Sequence, residues 1–370
     1  MLISKKVVLI TNIPTPYRIP LFNELNTQLK ERGFEFKVLF GAISYNRRKW
    51  LVNPSEFKFS YEVLPSKRIE YSDPEKVSFT YSGLFRHLRR EKPAVIISSG
   101  FSIATTKLWF WSWFTSRPFI IWSGDIAREG RASYSFLRIL HRKILVKRAS
   151  GFVAYGSKAK EYLISLGAAA EKIQVGINTV DTHFFREEVR RLRAVKGNSG
   201  SRKSLLYVGH LSPRKNIGKL LQVIKKLAQS RSDFKLDIVG DGVEKPELEK
   251  FVAENGISDL VRFHGFIQKS QLCSYLAEAC CFLFQTDFDI WGQALVEAMA
   301  AGLPCVVSCH AGAQHDLIKE GETGFVVDFS EVDEAVDRIS YLLDNQKEAM
   351  KIGQKASRFI GENLSLEKSA

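Results

Sequence analysis

Cysteine is scarce in this chain of 370 residues, and the distribution of the few cysteines excludes two kinds of stabilisation. All five lie in the second half, at Cys273, Cys280, Cys281, Cys305 and Cys309, and no two of them form a Cys-x-x-Cys pair. An odd number without such pairs argues against a disulfide framework and against a zinc site. We therefore expect the five cysteines to act as small apolar side chains of a protein in a reducing compartment.

Long uninterrupted hydrophobic runs are also missing. The first apolar run, Val7–Ile10, is shorter than the core of a signal peptide and leads into Thr11–Pro16 without a small-residue cleavage site. Residues 93–116 contain a single charge, Lys107, but Ser98-Ser-Gly100 and two threonines interrupt them. The sequence therefore predicts a cytoplasmic protein without a transmembrane helix.

One short segment is unusually aromatic. Residues 108–114, Leu-Trp-Phe-Trp-Ser-Trp-Phe, hold three tryptophans and two phenylalanines. The segment suits a helix in the core of the first domain, and it equally suits a helix that dips into a membrane interface, where amphipathic aromatics are enriched. A core helix normally carries a polar stripe, which Trp109–Phe114 lacks, so both interpretations stay open.

The basic charge is concentrated in the first half of the chain. Lys and Arg number 54 against 40 Asp and Glu, which gives a net charge of +14. Counted from the sequence, residues 1–200 hold 34 basic and 16 acidic residues (+18), and residues 201–370 hold 20 and 24 (−4). A uniformly basic nucleic-acid binder does not show this division, so we predict no nucleic-acid partner.

Short apolar runs alternate with amphipathic helical patterns along the whole chain. This alternation predicts an α/β protein with two Rossmann-like, doubly wound parallel-sheet domains facing across a cleft, with ligands at the carboxyl ends of the strands. A charged, glycine-rich stretch divides them into domains 1–185 and 204–370, joined by a linker over 186–203. The predicted strands are Val7–Ile10, Phe36–Phe40, Ala94–Ser98, Phe119–Trp122 and Gly151–Ala154, then Ser204–Val208, Lys235–Val239, Val261–His264, Cys280–Phe284, Pro304–Val307 and Phe325–Asp328.

The segment from Asp289 to Pro304 carries the strongest chemical pattern. Asp289 follows a strand, Gly292 allows the backbone to approach a ligand closely, and Glu297 stands on the helix that follows. The N-terminus of that helix offers N–H groups and partial positive charge to a diphosphate. Glu297 can accept hydrogen bonds from ribose hydroxyls. A capping acid and a buried glutamate are the structural alternative.

Three further loops after predicted strands are rich in glycine. Tyr207–Asn216 places Gly209 beside the basic residues Arg214 and Lys215, where the phosphates of a nucleotide would lie. Gly240-Asp-Gly242 and Gly265-Phe266 follow the next two strands and are weak signals by themselves.

Together these motifs resemble family 4 retaining glycosyltransferases of the GT-B fold, part of glycosyltransferases group 1. The matching features are Gly209-His210 with Lys215, Gly240-Asp-Gly242, Phe263-His-Gly265 and Asp289-x7-Glu297. Two segments of the first half, Asn12–Phe22 and Lys172–Phe184, resemble the first loop and the closing segment of the first domain in this family. The resemblance therefore covers nearly the whole chain.

The resemblance implies that the second domain binds a nucleotide sugar and the first domain its acceptor. Lys215 would contact the diphosphate, Glu297 the ribose and Asp289 the sugar, with the amides of 292–296 close to sugar and phosphate. The donor-binding set it implies is Gly209, His210, Arg214, Lys215, Gly240, Gly242, Gly265, Phe266, Asp289, Gly292, Gln293, Ala294, Leu295, Val296 and Glu297. Basic groups and a helix N-terminus would take the leaving-group charge, so no metal or cofactor is expected.

The chain departs from the family pattern at two positions. Asp289 stands where the family usually has glutamate, so the carboxylate sits one methylene shorter. His210 stands where the family has arginine, and a neutral imidazole cannot form a two-pronged contact with phosphate. We expect Arg214 or Arg18 to substitute for it, or the leaving group to be stabilised less, in an enzyme that is altered but active.

The first half offers candidates for the acceptor side. Asp125 ends a strand and is the predicted group that orients or deprotonates the acceptor hydroxyl, with a helix N-cap as the alternative. Ser99 and Gly100 end the preceding strand and would line the same site. Arg18 would reach the donor phosphate or an anionic acceptor, with a solvated charge as its alternative. The predicted catalytic residues are thus Asp125, Lys215 and Asp289.

The expected function is transfer of a sugar, with retention, from a UDP- or GDP-sugar to a lipid-linked or glycan acceptor in surface polysaccharide or glycolipid assembly. Peripheral contact with the anionic inner face of the cell membrane is expected through the basic residues Arg86, Arg89, Arg90, Arg138, Arg142, Lys143, Lys147 and Arg148. The alternatives are a sugar-nucleotide epimerase of similar shape and a non-enzymatic basic binding protein.

Histidine gives no sign of a metal site. The side chains considered, His87, His141, His183, His264, His310 and His315, share no ligand spacing with acids. They are expected to be structural or surface residues, and no metal ligand is predicted.

Overall fold

The structure is a computed structural model that describes residues 5–45, 49–71, 77–128, 134–196 and 203–370. The chain divides into two units. Unit 1 comprises Met1–Asn178 and Ser369–Ala370, and unit 2 comprises Thr179–Lys368. Each unit has its own parallel sheet, and the fold below is given unit by unit.

The sheet of unit 1 has seven parallel strands within the described residues. They are β1 (Lys6–Thr11), β2 (Glu35–Phe40), β3 (Ser60–Val63), β6 (Val95–Ser99), β7 (Phe119–Ser123), β8 (Gly151–Ala154) and β9 (Ile173–Val175). Their order across the sheet is β3-β2-β1-β6-β7-β8-β9. The central strands are runs of Val, Ile, Leu and Phe because helices cover both faces of a parallel sheet.

The helices of unit 1 alternate with these strands. They are α1 (Ile19–Glu31), α2 (Leu84–Glu91), α3 (Ile103–Trp111), α4 (Phe136–Arg148) and α5 (Ser157–Ser165). Helices α2 to α5 contribute apolar residues to one core with the sheet, among them Leu88, Leu108, Leu145 and Leu163. A short antiparallel pair, β4 (Arg68–Glu70) and β5 (Val77–Phe79), lies outside the main sheet.

Unit 2 repeats the plan with six parallel strands among the residues described. They are β10 (Lys203–Val208), β11 (Phe234–Val239), β12 (Val261–Gly265), β13 (Ala279–Phe284), β14 (Cys305–Ser308) and β15 (Phe325–Val327), in the order β12-β11-β10-β13-β14-β15. The helices are α6 (Thr182–Lys196), α7 (Ile217–Leu227), α8 (Lys245–Glu254), α9 (Lys269–Glu278), α10 (Gln293–Ala300), α11 (Gln314–Leu317), α12 (Val332–Asp344), α13 (Gln346–Asn363) and α14 (Leu366–Ser369). Every strand predicted from the sequence is present, within one residue at each end.

The strand order of each sheet reverses at one point. In unit 1 the reversal lies between β1 and β6, and in unit 2 it lies between β10 and β13. The loops that leave neighbouring strands at such a point diverge to opposite faces and leave room for a ligand. This topology brings together the loops after β10 and β13, which carry most of the predicted donor-binding residues.

The structure differs from the prediction at the join between the domains. The linker was predicted over 186–203, but helix α6 continues to Lys196, and the division into units follows Asn178; residues 197–202 lie outside the described part. The charged stretch is helical because Phe185 and Val189 are fully buried. Arg193 donates to carbonyl oxygens of Leu276, Ala277 and Ala301 at the ends of α9 and α10.

No helix in the described part of the chain is long and apolar enough to cross a membrane. The weakly charged stretch 93–116 forms strand β6 and helix α3, whose nine residues end at Trp111.

Candidate functional site

Glycines hold the loops of unit 2 together at the carboxyl ends of the strands. A side chain on Gly240 would place its Cβ 1.8 Å from the carbonyl oxygen of Gly209, and one on Gly242 would lie 2.0 Å from that of Leu211. Backbone hydrogen bonds join the same loops, from Leu211 N–H to Asp241 and from Gly240 N–H to Gly265. Larger residues would separate the loops, so these glycines shape the site.

Lys215 and Asp289 form a buried ion pair at the point where the strand order reverses. Lys215 Nζ donates to Asp289 Oδ2, and the ammonium also lies 4.8 Å from the centre of the Phe284 ring. Burial raises the pKa of the Asp289 carboxyl, but Lys215 and Arg214 outweigh it and hold the pKa below its usual value. The structure thus brings together two of the predicted catalytic residues, which lie 74 positions apart in the sequence.

A second acid, Asp287, supports this arrangement and was not predicted. It accepts hydrogen bonds from Asn216 Nδ2 at 2.7 Å and Lys219 Nζ at 2.8 Å. Its backbone N–H donates to the carbonyl of Arg214, and Arg214 Nη1 donates to the carbonyl of Phe288 at 3.0 Å. Asp287 therefore fixes the basic loop against the loop after β13. Its position two residues before Asp289 on the same loop is the signal that the sequence offered.

The N-terminus of α10 faces the same loops. Gly292 precedes the helix with φ +100°, a conformation that favours glycine, and its Cβ position would lie 2.6 Å from the Phe284 ring. The side chains of Leu295 and Val296 are fully buried, so only the backbone of these predicted residues can serve a ligand. The first N–H groups of the helix, from Gln293 and Ala294, lack acceptors within the helix itself.

Helix α10 carries two polar side chains, Gln293 and Glu297. Within the described residues, both polar atoms of the buried Gln293 side-chain amide lack a hydrogen-bond partner. Burial raises the pKa of the half-buried Glu297 carboxyl to about 7, and only the charge of Lys269 opposes this. A carboxyl whose pKa lies near 7 is ionised in part at neutral pH, and its oxygen atoms can then accept hydrogen bonds from a ligand.

The remaining predicted donor residues lie on the loops after β10 and β12. His210 is half-buried and its backbone carbonyl accepts the Ser212 N–H. Gly265 has φ +69° and open space at its Cβ position, and the neighbouring Phe266 ring is 38% exposed. These positions leave a surface at the end of β12 onto which a planar ligand can pack.

In unit 1, Arg18 is buried rather than solvated, which excludes the surface-charge alternative. Its guanidinium donates to the Tyr155 hydroxyl and, at 3.3 Å, to Thr11 Oγ1, and it lies 5.0 Å from the centre of the Trp122 ring. Among the described residues no carboxylate pairs with it, and its Nε has no hydrogen-bond partner. A buried cation in such surroundings is stabilised when an anion binds.

Ser99 and Gly100 lie beside this group at the end of β6. The Ser99 side chain hydrogen-bonds Tyr155, and Gly100 adopts φ +66° with its N–H donating to Trp122 at 2.8 Å. Gly124 lies against Tyr155 so closely that a Cβ there would be 2.1 Å from the ring. The structure therefore gathers Arg18, Ser99 and Gly100 around the point where the strand order reverses.

Asp125 has a different environment from the one expected. It does not cap a helix, because residues 126–128, which follow it directly, are not helical. Its carboxylate accepts a hydrogen bond from Arg142 Nη2 at 2.9 Å, and Arg142 is itself buried and bonded to Tyr162. The N-cap alternative is therefore wrong. Arg142 is buried, so it is not part of the basic surface predicted for membrane contact. The catalytic role of Asp125 stays a prediction, now for a carboxylate that is paired.

Three histidines of the described residues lie near acids that are distant or not obvious in the sequence, and one of them, His264, places its Nε2 2.8 Å from Asp237 Oδ1. His87 Nδ1 lies 3.1 Å from Glu62, and His310 Nε2 lies 4.0 Å from Asp328 with Cys309 beside it. The lysines Lys6 and Lys37 already pair with Glu91, the second acid near His87. These histidines therefore lie beside acids in space although the sequence showed no ligand spacing, and the absence of a metal ligand set stays a prediction.

Comparison with known proteins finds a family model that matches the part of the chain carrying these loops. Residues 188–359 match the sequence model of the family described as Glycosyl transferases group 1. The chain is 27% identical over 197 residues to N-acetyl-alpha-D-glucosaminyl L-malate synthase of Bacillus anthracis, covering 53% of this chain and 51% of the relative. It is 31% identical over 170 residues to the amylovoran biosynthesis glycosyltransferase AmsK of Erwinia amylovora, covering 44% and 40%. The chain thus spans about half the length of these relatives or less.

Solved structures resemble the chain over nearly its full length. Anabaena Alr3699/HepE in complex with UDP superimposes with a TM-score of 0.77 at 18% identity, covering 99% of this chain and 97% of that one. Its complex with UDP-glucose gives a TM-score of 0.75. At this identity the similarity establishes the fold, and the predicted α/β fold of the GT-B class is confirmed.

Proposed function

Because residues 188–359 belong to the glycosyl transferases group 1 family, we propose that this protein is a retaining glycosyltransferase that uses a nucleotide-sugar donor. The observation that carries the proposal is the buried Lys215–Asp289 pair beside the N-terminus of the helix that bears Glu297. A cation, a helix N-terminus and two acids at one sheet edge match the parts of such a donor: diphosphate, ribose and sugar.

Each of these groups has a step in the proposed reaction. Glu297 accepts hydrogen bonds from the ribose hydroxyls, and Asp289 turns from Lys215 towards a hydroxyl of the sugar. Lys215, freed from that carboxylate, binds the diphosphate. The bond from the anomeric carbon to the diphosphate breaks while the acceptor oxygen bonds to the same face, and the acceptor proton passes to the leaving phosphate oxygen. Lys215 and the first amides of α10 stabilise the charge on the leaving group, so we propose no metal.

The two departures from the family pattern have a structural counterpart. Arg214 Nη1 lies 3.7 Å from Asp289 Oδ2 and is one-third exposed, so it can swing towards a phosphate in place of the arginine that His210 replaces. The shorter Asp289 carboxylate reaches Lys215 and Arg214 together. The resulting site is proposed to be active, with Arg214 supplying part of the leaving-group stabilisation.

We assign the acceptor to unit 1. Ser99 and Gly100 lie beside the buried guanidinium of Arg18, which no carboxylate neutralises among the described residues. This environment suits an acceptor with a phosphate or carboxylate near its hydroxyl. Lipid-linked sugars and growing surface glycans have this chemistry. The amylovoran biosynthesis protein among the relatives supports a polysaccharide or glycolipid product. We accordingly propose a cytoplasmic enzyme that works at the inner face of the cell membrane.

The UDP complexes of Anabaena Alr3699/HepE direct the first experiment to uridine donors. The full chain would be titrated by calorimetry with UDP, GDP and a panel of UDP- and GDP-sugars, and the products would be followed by mass spectrometry. We expect micromolar binding of one nucleotide class and slow release of its diphosphate without acceptor. Glu297→Ala should remove this turnover while the circular dichroism spectrum is unchanged.

The outcomes of this screen separate the alternatives. Interconversion of two nucleotide sugars without release of the diphosphate would favour an epimerase. Lack of binding to every nucleotide would contradict a donor site in unit 2 and leave a non-enzymatic binding protein. Normal turnover by Glu297→Ala would remove the assignment of the ribose contact.

A further inference from the structure

The aromatic segment of unit 1 is only half in the core. Leu108 and Trp111 are buried against the sheet, as the core interpretation requires. Phe110, Trp113 and Phe114 point outward and are 51%, 63% and 73% exposed. The core interpretation is therefore confirmed for one side of the segment, and the other side is exposed, while contact with a membrane stays a prediction.

Helix α4 exposes a second apolar stripe. Phe136, Leu137, Leu140 and Ile144 are 76%, 74%, 44% and 43% exposed, whereas the opposite side of the helix is buried through residues such as Leu145 and Val146. A helix on the surface of a globular protein normally directs polar side chains to solvent, so this helix has apolar residues on both sides.

The two exposed sets are neighbours. Helices α3 and α4 run side by side: Thr106 Oγ1 lies 3.1 Å from His141 Nε2, and Arg148 Nη2 donates to the carbonyl of Ser112 at 2.6 Å. The Arg148 guanidinium also lies 5.1 Å from the centre of the Trp113 ring. We call the two sets together the α3–α4 surface: Phe110, Trp113, Phe114, Phe136, Leu137, Leu140 and Ile144.

The segment that carries this surface is predominantly basic. Residues 103–148 contain nine lysines and arginines and two acids, Asp125 and Glu129. Asp125 is paired with the buried Arg142, so it does not offset the exposed basic side chains. The exposed residues Arg138, Lys143, Lys147 and Arg148 lie on α4 itself. An apolar surface with a cationic rim is complementary to an anionic, apolar partner.

We propose that the α3–α4 surface docks on an anionic lipid bilayer, with its aromatic and aliphatic side chains at the level of the headgroups. Tryptophan and phenylalanine are suited to that depth, and lysine and arginine extend from there to the lipid phosphates. A second copy of the chain is a poor partner, because a two-fold contact would bring two basic rims together. The proposal adds the lipid class and the contacting residues to the membrane location proposed above, on which it rests.

Vesicle co-sedimentation of the full chain tests the proposal without any sugar or nucleotide. Phosphatidylcholine vesicles and vesicles with 30% phosphatidylglycerol (on the order of a natural anionic fraction) would be compared at low and high salt. We expect binding to the anionic vesicles only, with release at high salt. Because no turnover is measured, a chain without transferase activity still gives an answer, and failure here leaves the proposed reaction standing.

Two pairs of substitutions separate the apolar part from the charged part. Lys143→Gln with Lys147→Gln should weaken binding by about 30-fold, as expected for two charges near an anionic surface. Phe114→Ser with Leu137→Ser should weaken binding at low salt by about tenfold or more, because apolar area no longer enters the interface. Both pairs are exposed, so the thermal midpoint of unfolding should stay unchanged.

Matched substitutions in unit 2 serve as controls. Lys347→Gln with Lys355→Gln, and Val243→Ser with Met350→Ser, change exposed residues of the same types and should leave binding unchanged. Equal loss from the controls, or equal binding of the Phe114→Ser, Leu137→Ser pair and the wild type, would overturn the proposal. So would absence of binding together with concentration-dependent dimerisation in sedimentation velocity that the same pair abolishes, which would make the surface a contact between copies.

Discussion

The two units place a basic side chain at the same position of the same topology but give it opposite surroundings. Arg18 follows β1 and Lys215 follows β10, each in the loop between the first strand of a sheet and its first helix. Lys215 pairs with the carboxylate of Asp289, whereas Arg18 contacts two hydroxyls and an aromatic ring. The charge of Lys215 is thus neutralised until a ligand displaces Asp289, while that of Arg18 is available to an anion.

This difference indicates how each unit handles charge. In unit 2 an internal ion pair offsets part of the penalty of burying a cation, and the proposed diphosphate would compete with Asp289. In unit 1 the aromatic rings and hydroxyls stabilise the guanidinium less than a carboxylate would, so the proposed acceptor anion would gain more. The surplus of basic residues in unit 1 and the slightly acidic composition of unit 2 follow the same division.

The largest effect that tests the comparison is expected for Lys215→Ala. Loss of the ammonium should lower kcat by about 10³-fold, because a preorganised cation opposite the leaving group is removed. Lys219→Ala, one turn along and paired with Asp287, is the matched control and should cost less than tenfold. Steady-state kinetics measure both. An equal decrease of kcat in the two variants would show that Lys215 has no specific role opposite the leaving group.

Because Lys215→Ala also removes the nearest cation from the buried Asp289 and leaves it only the more distant Arg214 at 3.7 Å, the stability of this variant needs a separate measurement. The thermal midpoint should fall, and a second substitution, Asp289→Asn, should restore most of it without restoring turnover. Recovery of turnover in the double variant would contradict the role of Lys215 at the diphosphate.

Arg18→Gln should have the next largest effect, about 10²-fold on kcat/KM for the acceptor, since a buried charge-assisted contact is lost. Arg32→Gln is the control, because Arg32 is exposed at the end of α1 and bonds only the preceding turn. Calorimetry with the nucleotide decides which anion Arg18 serves: an unchanged Kd assigns it to the acceptor, and a weakened Kd assigns it to the donor phosphate. Unchanged kinetics would make Arg18 purely structural.

The smallest expected effect concerns Glu297 and pH. The folded protein keeps a proton on this carboxyl up to about pH 7, whereas an unperturbed glutamate loses it near 4.5. Folded protein binds more protons between these values, so stability falls as pH rises through this window. Glu297→Gln should therefore raise the free energy of unfolding at pH 8 by about 2 kcal/mol and leave it unchanged at pH 4.

The same group predicts a pH dependence of nucleotide binding. Ionised Glu297 accepts two ribose hydrogen bonds, so nucleotide affinity should increase by about tenfold from pH 6 to pH 8. Glu297→Gln should bind more weakly and lose this dependence, which calorimetry at three pH values measures. A wild type whose affinity is independent of pH would contradict the ribose contact.

Much of the fold was predictable because its signals are local. Buried strands of a parallel sheet are short runs of Val, Ile, Leu and Phe, and each run from Val7–Ile10 to Phe325–Asp328 marked a strand. Strands β3, β4, β5 and β9 were missed because they are only three or four residues long, and most of their residues are exposed, half-buried or polar. The helix over Thr182–Lys196 was missed because its arginines act as partners for distant carbonyls, which the sequence does not show.

The candidate site in unit 2 was also visible in the sequence, since its loops follow recognisable strands. The partners of its residues were not visible. Asp287 holds the basic loop, Arg142 takes the carboxylate of Asp125, and Tyr155 takes the guanidinium of Arg18. Each pair joins residues that are far apart in the sequence, and most of them lie in loops that follow different strands. Such pairs depend on which strands become neighbours.

By itself the sequence determined which segments are strands, which loops carry glycine and basic residues, and which half holds the positive charge. These properties follow from side-chain chemistry and short-range spacing. Only the tertiary structure decided which side of the aromatic segment is buried, which acid Lys215 pairs with and whether Arg18 is in solvent. Those outcomes depend on the order of strands in the sheet, because that order brings distant residues within a few ångströms and sets which charges lose their water.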